Sequence, residues 1–140
     1  MQPRLNPDEW AIWIICAILI AISCFSFVGI LRAEVITGKA SWYSTEACQF
    51  NPDPKCPTAD GSSLYDLERN NVLFAAMNNI KLGSKVKVCN QENDKCTVVI
   101  IKDRGGFEKY GRIIDLSKKA FSEISSLTKG LEFVTVEVIQ

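Results

Sequence analysis

The sequence predicts a small, mainly β domain that closes into a barrel and is preceded by one apolar segment. Short apolar or alternating stretches recur between Val35 and Ile139, and most of them end in Gly, Asn, Asp or Pro. Strands do not alternate regularly with helices, as they do in parallel α/β folds. About 107 residues follow the apolar segment, enough for one hydrophobic core but not for two. We therefore expect an N-terminal segment at residues 1–33 and one domain at residues 34–140.

Six strands are predicted from the apolar pattern. They cover residues 35–43, 72–77, 85–89, 96–101, 112–114 and 131–139. In the third strand, Val86 and Val88 alternate with lysines, which is the period of two expected when one face of a strand is buried. The fourth strand is apolar throughout, which indicates a central position in the sheet.

Two short helices are predicted between the strands. Residues 66–70 are expected to form a single turn. The second helix is expected to begin at Asp115, whose carboxylate would cap its N-terminus, and to run for about ten residues. Leu116, Ala120 and Ile124 would lie on its apolar face.

The apolar segment, residues 11–31, is a run of 21 residues without a charge. As a helix it would be roughly 31 Å long, about the thickness of the hydrocarbon core of a bilayer. It therefore predicts a single transmembrane anchor with the C-terminal domain in the periplasm or extracellular space. A signal peptide cleaved after Ala33 and lipidation at Cys24 remain alternatives. All three place the domain outside the cytosol.

The composition excludes several classes of function. The chain has no histidine, which removes Ser-His-Asp and Cys-His catalysis and the usual zinc hydrolase sites. Its 16 basic and 16 acidic residues balance, so binding to nucleic acid through phosphate contacts is not expected. We predict no metal and no cofactor, and catalysis, if present, must use carboxylates, Lys, Tyr or the backbone.

Four of the six cysteines lie beyond the apolar segment, as two local pairs. Four cysteines allow three connectivities, and the local one fits the predicted strands best. Cys89 and Cys96 would face each other at the mouth of a hairpin, and Cys48 and Cys56 would close a Pro- and Asp-rich loop. Disulfides in loops this short stabilise a domain by roughly 2–3 kcal/mol each.

An ordered set of motifs resembles a known family. The motifs are GKASWY (38–43), PTADG (57–61), Ala75-Ala76, Leu82-Gly83, Val86 with Val88, Asn90, DRGGF (103–107) and RIIDLS (112–117). In this order and spacing they resemble the RlpA-like (rare lipoprotein A) double-psi β-barrel family, which is distantly related to expansins. The resemblance covers about residues 37–139. It implies a six-stranded double-psi barrel, peptidoglycan glycan strands as ligand and, in active members, lytic transglycosylase chemistry.

Asp103 is the predicted catalytic residue. A lytic transglycosylase protonates the glycosidic oxygen after N-acetylmuramic acid and then deprotonates the muramoyl 6-hydroxyl, so one carboxylate can serve as acid and then as base. Asp103 matches the functional Asp of the family and ends an apolar strand, where burial is expected to raise the pKa of its carboxyl group. The structural alternative is an ion pair between Asp103 and Arg104. Asp115 is interpreted as a structural cap.

The resemblance also assigns substrate contacts. The predicted substrate-binding residues are Tyr43, Thr58, Asp60, Arg104 and Phe107. Tyr43, with its neighbour Trp42, is a candidate for stacking on sugar rings, although aromatic core packing explains both equally well. Arg104 is expected either to bind a substrate carboxylate or to orient Asp103.

The sequence departs from active bacterial members at three places. Ser62 or Ser63 stands where they carry a Glu, Met77 where they carry a His, and Gly106 where Pro is usual. The candidates for a replacement carboxylate are Asp60, Asp66 and Glu68. The departures leave a second hypothesis open, that of a non-catalytic, expansin-like module that binds glycan.

Overall fold

The structure is a computed structural model that describes residues 34–139, together with residues 11, 12, 14 and 15, which are helical. Apart from those four residues, the predicted anchor at 11–31 lies outside the described residues, and so do its alternatives at Ala33 and Cys24. Within the described part of the chain, no helix is long and apolar enough to cross a membrane.

Six strands close into a barrel, as predicted. They are β1 (Val35–Tyr43), β2 (Phe74–Ala76), β3 (Lys85–Asn90), β4 (Cys96–Asp103), β5 (Arg112–Ser117) and β6 (Glu132–Val138). Their order around the barrel is β1-β5-β2-β4-β3-β6. The pairs β1/β5 and β2/β4 are parallel, and the other four neighbouring pairs are antiparallel.

Two helices and three short 3-10 turns connect the strands. The helices are α1 (Leu64–Arg69) and α2 (Lys118–Ile124), and the 3-10 turns are Thr45–Phe50, Phe107–Tyr110 and Leu127–Lys129. The prediction that Asp115 caps the second helix is wrong. Parallel pairing with β1 extends β5 to Ser117, and it is the Ser117 side chain that accepts a hydrogen bond from the backbone of Ala120.

The hydrophobic core is formed by alternate residues of the strands together with Met77 and three residues of α2. It comprises Ala40, Ala75, Met77, Val86, Val88, Val99, Ile101, Ile114, Leu116, Ala120, Phe121, Ile124, Val134 and Val136. A second cluster lies on the outer face of the sheet, where Phe74 packs with Leu64 and Leu67 of α1 and with the Cys48 and Cys56 side chains. The segment between β1 and β2 therefore covers one part of the barrel wall.

Both predicted local disulfides are present. Cys48 is bonded to Cys56, within the second cluster, and Cys89 is bonded to Cys96. Cys89 and Cys96 are also direct partners in the register of β3 and β4, so the second disulfide closes the hairpin at its mouth.

Candidate active site on the outer face of the barrel

A row of four residues crosses the outer face of the barrel. In the register, Ser41 of β1 lies beside Asp115 of β5, Asp115 beside Ala76 of β2, and Ala76 beside Asp103 of β4. Neighbouring strands are about 4.8 Å apart, so the backbones of Asp115 and Asp103 lie roughly 10 Å apart with only a methyl side chain between them. The arrangement places two carboxylates on one surface.

A β-bulge in β4 brings Asp103 to this face. Ala75 pairs with Ile101 but Ala76 pairs with Asp103, so Lys102 is an extra residue on β4. In an unbroken strand Asp103 would share the face of Val99 and Ile101, which are fully buried in the core. The bulge reverses that alternation and directs the carboxylate outward.

A second bulge, in β5, brings Arg112 to the same face as Asp115. Lys39 pairs with Arg112 and Ala40 with Ile114, so Ile113 is the extra residue. Residues three apart in a regular strand lie on opposite faces, yet Arg112 Nη1 is 2.8 Å from Asp115 Oδ1. Ile113 folds over Gly38, where a Cβ would come within 2.6 Å of its side chain.

The Asp103 carboxylate accepts three hydrogen bonds. The Tyr43 hydroxyl donates to Oδ2 at 3.1 Å, and the backbone N–H groups of Ala59 and Arg104 donate to Oδ1 at 2.9 and 2.8 Å. The side chain is half-buried and each donor comes from a different part of the chain. The fold therefore fixes the orientation of Asp103 before any ligand binds.

Tyr43 lines the site beside Asp103. Its ring packs edge-on against Phe74, with ring centroids 5.8 Å apart. Burial, followed by the charge of Asp103 and the hydrogen bond to it, raises the pKa of the Tyr43 hydroxyl far above its ordinary value, and the charges of Asp115 and Glu68 add to the effect. The Tyr43 hydroxyl therefore stays protonated and donates a hydrogen bond at any physiological pH. The charges of three carboxylates, those of Asp103, Asp115 and Glu68, contribute to its raised pKa.

Asp115 was predicted to cap a helix, but in the structure it lies in the row beside Ser41 and Ala76. Ser41 donates to its Oδ1, and Arg112 donates both to the same oxygen and to Ser41. Burial raises the pKa of Asp115 and outweighs the opposing charge of Arg112. The only sequence signal for this role was the order Arg-Ile-Ile-Asp, which gives no indication of the bulge that joins its two charged residues.

Thr58 and Asp60 form a tight turn beside Asp103. The Thr58 hydroxyl is buried and donates to Asp60 Oδ1 at 2.8 Å, and Lys102 Nζ lies 2.8 Å from Asp60 Oδ2. Burial acts to raise the pKa of Asp60, but hydrogen bonds from Lys102, the Ser62 backbone and Thr58 outweigh it and hold the pKa well below its usual value. Asp60 thus anchors the extra residue of the β4 bulge.

Arg104 does not pair with the Asp103 carboxylate through its side chain. Its guanidinium donates to the carbonyl oxygens of Met77 and, at 2.7 Å, Ile80. It therefore holds the segment after β2 against the turn that carries Asp103. Asn78 adds to this connection, because its side-chain amide N–H donates to the Gly105 carbonyl at 2.8 Å.

Phe107 is placed differently from the prediction. Its ring is 3% exposed and lies beneath Arg112, whose guanidinium carbon is 5.9 Å from the ring centroid. Phe107 therefore supports Arg112 and offers no open face to a sugar.

Met77 and Ser63, which the sequence analysis placed where the family pattern has a His and a Glu, have structural roles here. Met77 is 2% exposed within the core, and Ser63 caps α1. Of the candidate replacement carboxylates, Glu68 accepts hydrogen bonds from the backbone and side chain of Thr45, and Asp66 is exposed and paired with Arg69. Neither Asp66 nor Glu68 is bonded to Asp103.

Among residues 34–139, no group of three or more His, Cys, Asp or Glu side chains is arranged to hold a metal ion. The chemistry available in the row is that of two differently surrounded carboxylates, with the protonated phenol of Tyr43 beside them.

Comparisons with known proteins agree with this fold. A sequence model for a family described as lytic transglycolase matches residues 35–136. Proteins described as endolytic peptidoglycan transglycosylase RlpA are similar to the chain: that of Rickettsia bellii is 37% identical and that of Vibrio cholerae 40% identical, each over 103 residues. These alignments cover 74% of this chain but only 42% and 35% of the relatives, so the chain spans less than half the length of the curated relatives it matches.

Two solved structures share the double-psi barrel. One is a mutant expansin of Clavibacter michiganensis in complex with cellohexaose, with a TM-score of 0.55 and 14% identity, covering 76% of this chain and 51% of that one. The other is a papain inhibitor of Streptomyces, with a TM-score of 0.56 and 22% identity, covering 76% and 96%. At these identities the likeness concerns the fold alone.

Proposed function

The chain belongs to the lytic transglycolase family, and on that premise we propose that its barrel cleaves the glycan strands of peptidoglycan, with Asp103 as acid and base. The observation that supports the proposal best is the bulge that turns Asp103 out of the core and onto three hydrogen-bond donors.

The reaction balances with one carboxyl group. Asp103 gives its proton to the glycosidic oxygen as the bond from that oxygen to the anomeric carbon of N-acetylmuramic acid breaks. The muramoyl 6-hydroxyl oxygen then bonds to the same carbon and returns its proton to Asp103, leaving a 1,6-anhydro end and a free 4-hydroxyl. No water enters, so the two-carboxylate arrangement of hydrolytic glycosidases is not required.

Asp115 is a second carboxylate on the same face. Because burial raises its pKa, a larger fraction of it is protonated at a given pH than of an ordinary Asp. Ser41 and Arg112 hold its carboxyl group in a fixed orientation on the face that also carries Asp103, and we assign it no proton transfer. Of the predicted substrate contacts, Tyr43 is the one whose side chain binds the Asp103 carboxylate directly.

The test is digestion of purified sacculi with the full chain in detergent, followed by mass analysis for 1,6-anhydro-muropeptides. The proposal expects these products to accumulate with time. A control digestion with the Asp103→Asn protein separates this activity from that of contaminating enzymes. Sacculi that remain intact with wild-type protein would contradict the proposal.

A second candidate is a glycan-binding module without catalysis. It is favoured by the positions where active relatives carry Glu and His, because Ser63 is a helix cap and Met77 is core in this chain. The structural likeness to an expansin solved with cellohexaose fits the same idea. Wild-type protein that sediments with sacculi yet releases no anhydro product would favour this second function.

We also propose that residues 1–33 anchor the chain in a membrane and that residues 34–140 lie in the periplasm or extracellular space. The support is the run of 21 uncharged residues at 11–31, together with two disulfides, which persist in oxidising compartments. Intact mass of the mature protein tests it. A chain that begins near Glu34, or a diacylated Cys24, would contradict a retained anchor.

A further inference from the structure

Tyr110 is an exposed aromatic residue held in a defined place. It is 68% exposed and ends the 3-10 turn Phe107–Tyr110. The turn stops at Gly111, whose φ of 73° is in the left-handed region and whose N–H donates to the Glu108 carbonyl at 2.8 Å. The backbone on both sides of Tyr110 is thereby fixed although its side chain faces solvent.

Arg112 connects this ring to the candidate active site. Its guanidinium carbon is 5.9 Å from the centroid of Phe107 and 5.7 Å from that of Tyr110, so it lies between a buried and an exposed ring. The same guanidinium binds the Asp115 carboxylate at 2.8 Å. The exposed ring therefore lies one side chain away from a carboxylate of the site.

The chemistry of such a ring suits a sugar. The C–H groups of a pyranose face carry partial positive charge and pack against the negative face of an aromatic ring. A long glycan that places one bond at Asp103 must lay its neighbouring sugars along the adjoining surface. The exposed ring of Tyr110, in contact with the arginine that binds Asp115, offers an aromatic face of this kind.

We propose that Tyr110 forms a sugar-stacking subsite that positions the glycan strand beside Asp103 and Asp115. The inference rests on the proposed function for the identity of the polymer. Lys109 also lies over the ring, with its Nζ 5.0 Å from the centroid, but its side chain is exposed and solvated, so a sugar can displace it. Arg112 remains in place because Asp115 holds it.

Phe133 provides a matched control. It is 57% exposed and has Lys39 Nζ 5.5 Å from its ring centroid, so its surroundings resemble those of Tyr110. It lies on β6, however, and its cation is not one that binds Asp115. If an exposed ring contributed only nonspecific binding of glycan, its removal would weaken binding equally at both positions. If Tyr110 forms a subsite, only its removal would weaken binding.

The experiment compares the wild-type full chain with Tyr110→Ala, Tyr110→Phe and Phe133→Ala. It measures KM and kcat for release of anhydro-muropeptides and, separately, the Kd for sacculi by sedimentation. We expect Tyr110→Ala to raise KM and Kd about fivefold to tenfold with kcat changed less than about twofold, as for loss of one aromatic contact. Tyr110→Phe keeps the ring and should stay within about twofold of wild type, as should Phe133→Ala.

The outcomes separate this inference from the proposed function. If wild type binds sacculi without cleaving them, the enzymatic proposal fails, and the Kd series still decides the role of Tyr110. A Tyr110→Ala protein with unchanged Kd and KM overturns the subsite. Equal losses in Tyr110→Ala and Tyr110→Phe, or in Tyr110→Ala and Phe133→Ala, overturn it as well, and a wild type that neither binds nor cleaves overturns both proposals.

Discussion

The two sides of the barrel wall are built in different ways. On one side, β3 pairs with β4 and β6, and β6 pairs with β1, in antiparallel registers without a shift. On the other side, the parallel pairs β1/β5 and β2/β4 each contain a bulge. The regular side alternates buried and outward residues, and the bulged side gathers charged and hydroxyl groups into one row. The candidate catalytic residues thus lie where the pairing of the strands is irregular.

The largest stability effect is expected for the turn that anchors the β4 bulge. Asp60→Asn removes the charge that binds Lys102 and weakens the bonds from Thr58 and Ser62. Loss of hydrogen bonds to a charged group typically costs about 1.5–3 kcal/mol, which lowers the Tm by several degrees. Thermal unfolding at pH 7 measures this change in Tm. Asp66→Asn, at an exposed position of α1, is the control and should change the Tm little.

This first prediction has a defined pH dependence. Burial acts to raise the pKa of Asp60, but its hydrogen bonds, led by Lys102, lower it below the ordinary 3.8. The stability it contributes is therefore complete above the unfolded pKa and is lost as the pH falls through the folded one. The Tm difference between wild type and Asp60→Asn should shrink as the pH falls below about 4. A difference that stays constant down to strongly acidic pH would contradict this account of the bulge.

A second effect is expected at the β5 bulge. Gly38→Ala would place a Cβ 2.6 Å from the Ile113 side chain, and overpacking of this kind costs typically about 1–3 kcal/mol. The double variant Gly38→Ala/Ile113→Ala should recover part of the loss, because it removes the atoms that clash. Additive losses in this double-mutant cycle would show that the close approach of Ile113 is not what requires Gly38.

Some of these features could be predicted from the sequence, and the reason differs between the two sides. Val86, Val88, Val134 and Val136 alternate with polar residues, so the regular side was predicted strand by strand. The Cys89–Cys96 disulfide followed from the hairpin predicted for β3 and β4, and the Cys48–Cys56 disulfide from the local spacing of these cysteines around a Pro- and Asp-rich loop. A bulge, in contrast, is defined by how a strand pairs with a neighbouring strand that is distant in the sequence. The local pattern of residues therefore does not predict it.

Asp115 shows the consequence for the site. A carboxylate before Leu-Ser and a helical stretch fits the pattern of an N-cap, and that prediction was wrong because pairing with distant β1 extends the strand past it. Asp103 was predicted to be catalytic from its motif, whereas its bonds to Tyr43 and Ala59, which join positions far apart in the chain, could not be predicted. Its supposed ion pair with Arg104 is absent, since the Arg104 side chain reaches backbone carbonyls instead.

A third prediction concerns the sign of a pH effect at Asp115, which is opposite to that at Asp60. Burial raises the pKa of Asp115 despite the charge of Arg112. The stability linked to its protonated form is present below the unfolded pKa and is lost as the pH rises through the folded one. Relative to wild type, Asp115→Asn should therefore become more stable as the pH rises from about 4 towards neutral. Denaturant unfolding at a series of pH values measures this trend, and the reverse slope would show that the Arg112 ion pair outweighs burial.

The smallest effect is expected at Gly106, in the turn that follows Asp103. Its φ of −88° is close to that of Pro, and an added Cβ would meet nothing nearer than 4.0 Å. Gly106→Pro should therefore stabilise the domain by about 0.4–1 kcal/mol through the unfolded chain. A small rise in Tm would show that the turn is already formed without the Pro, and a fall would show that the ring does not fit it.

The most direct test of the central claim compares wild type with Asp103→Asn in sacculus digestion. Asn keeps the shape of the side chain but cannot transfer the protons, and acid–base catalysis is typically worth about 10²–10⁴-fold. The account predicts that release of 1,6-anhydro-muropeptides falls at least about 100-fold, while sedimentation with sacculi is retained. Asp66→Asn, an exposed carboxylate on α1, should release product at the wild-type rate. Equal product from wild type and Asp103→Asn would contradict the claim that the bulged side of the barrel carries the chemistry through Asp103.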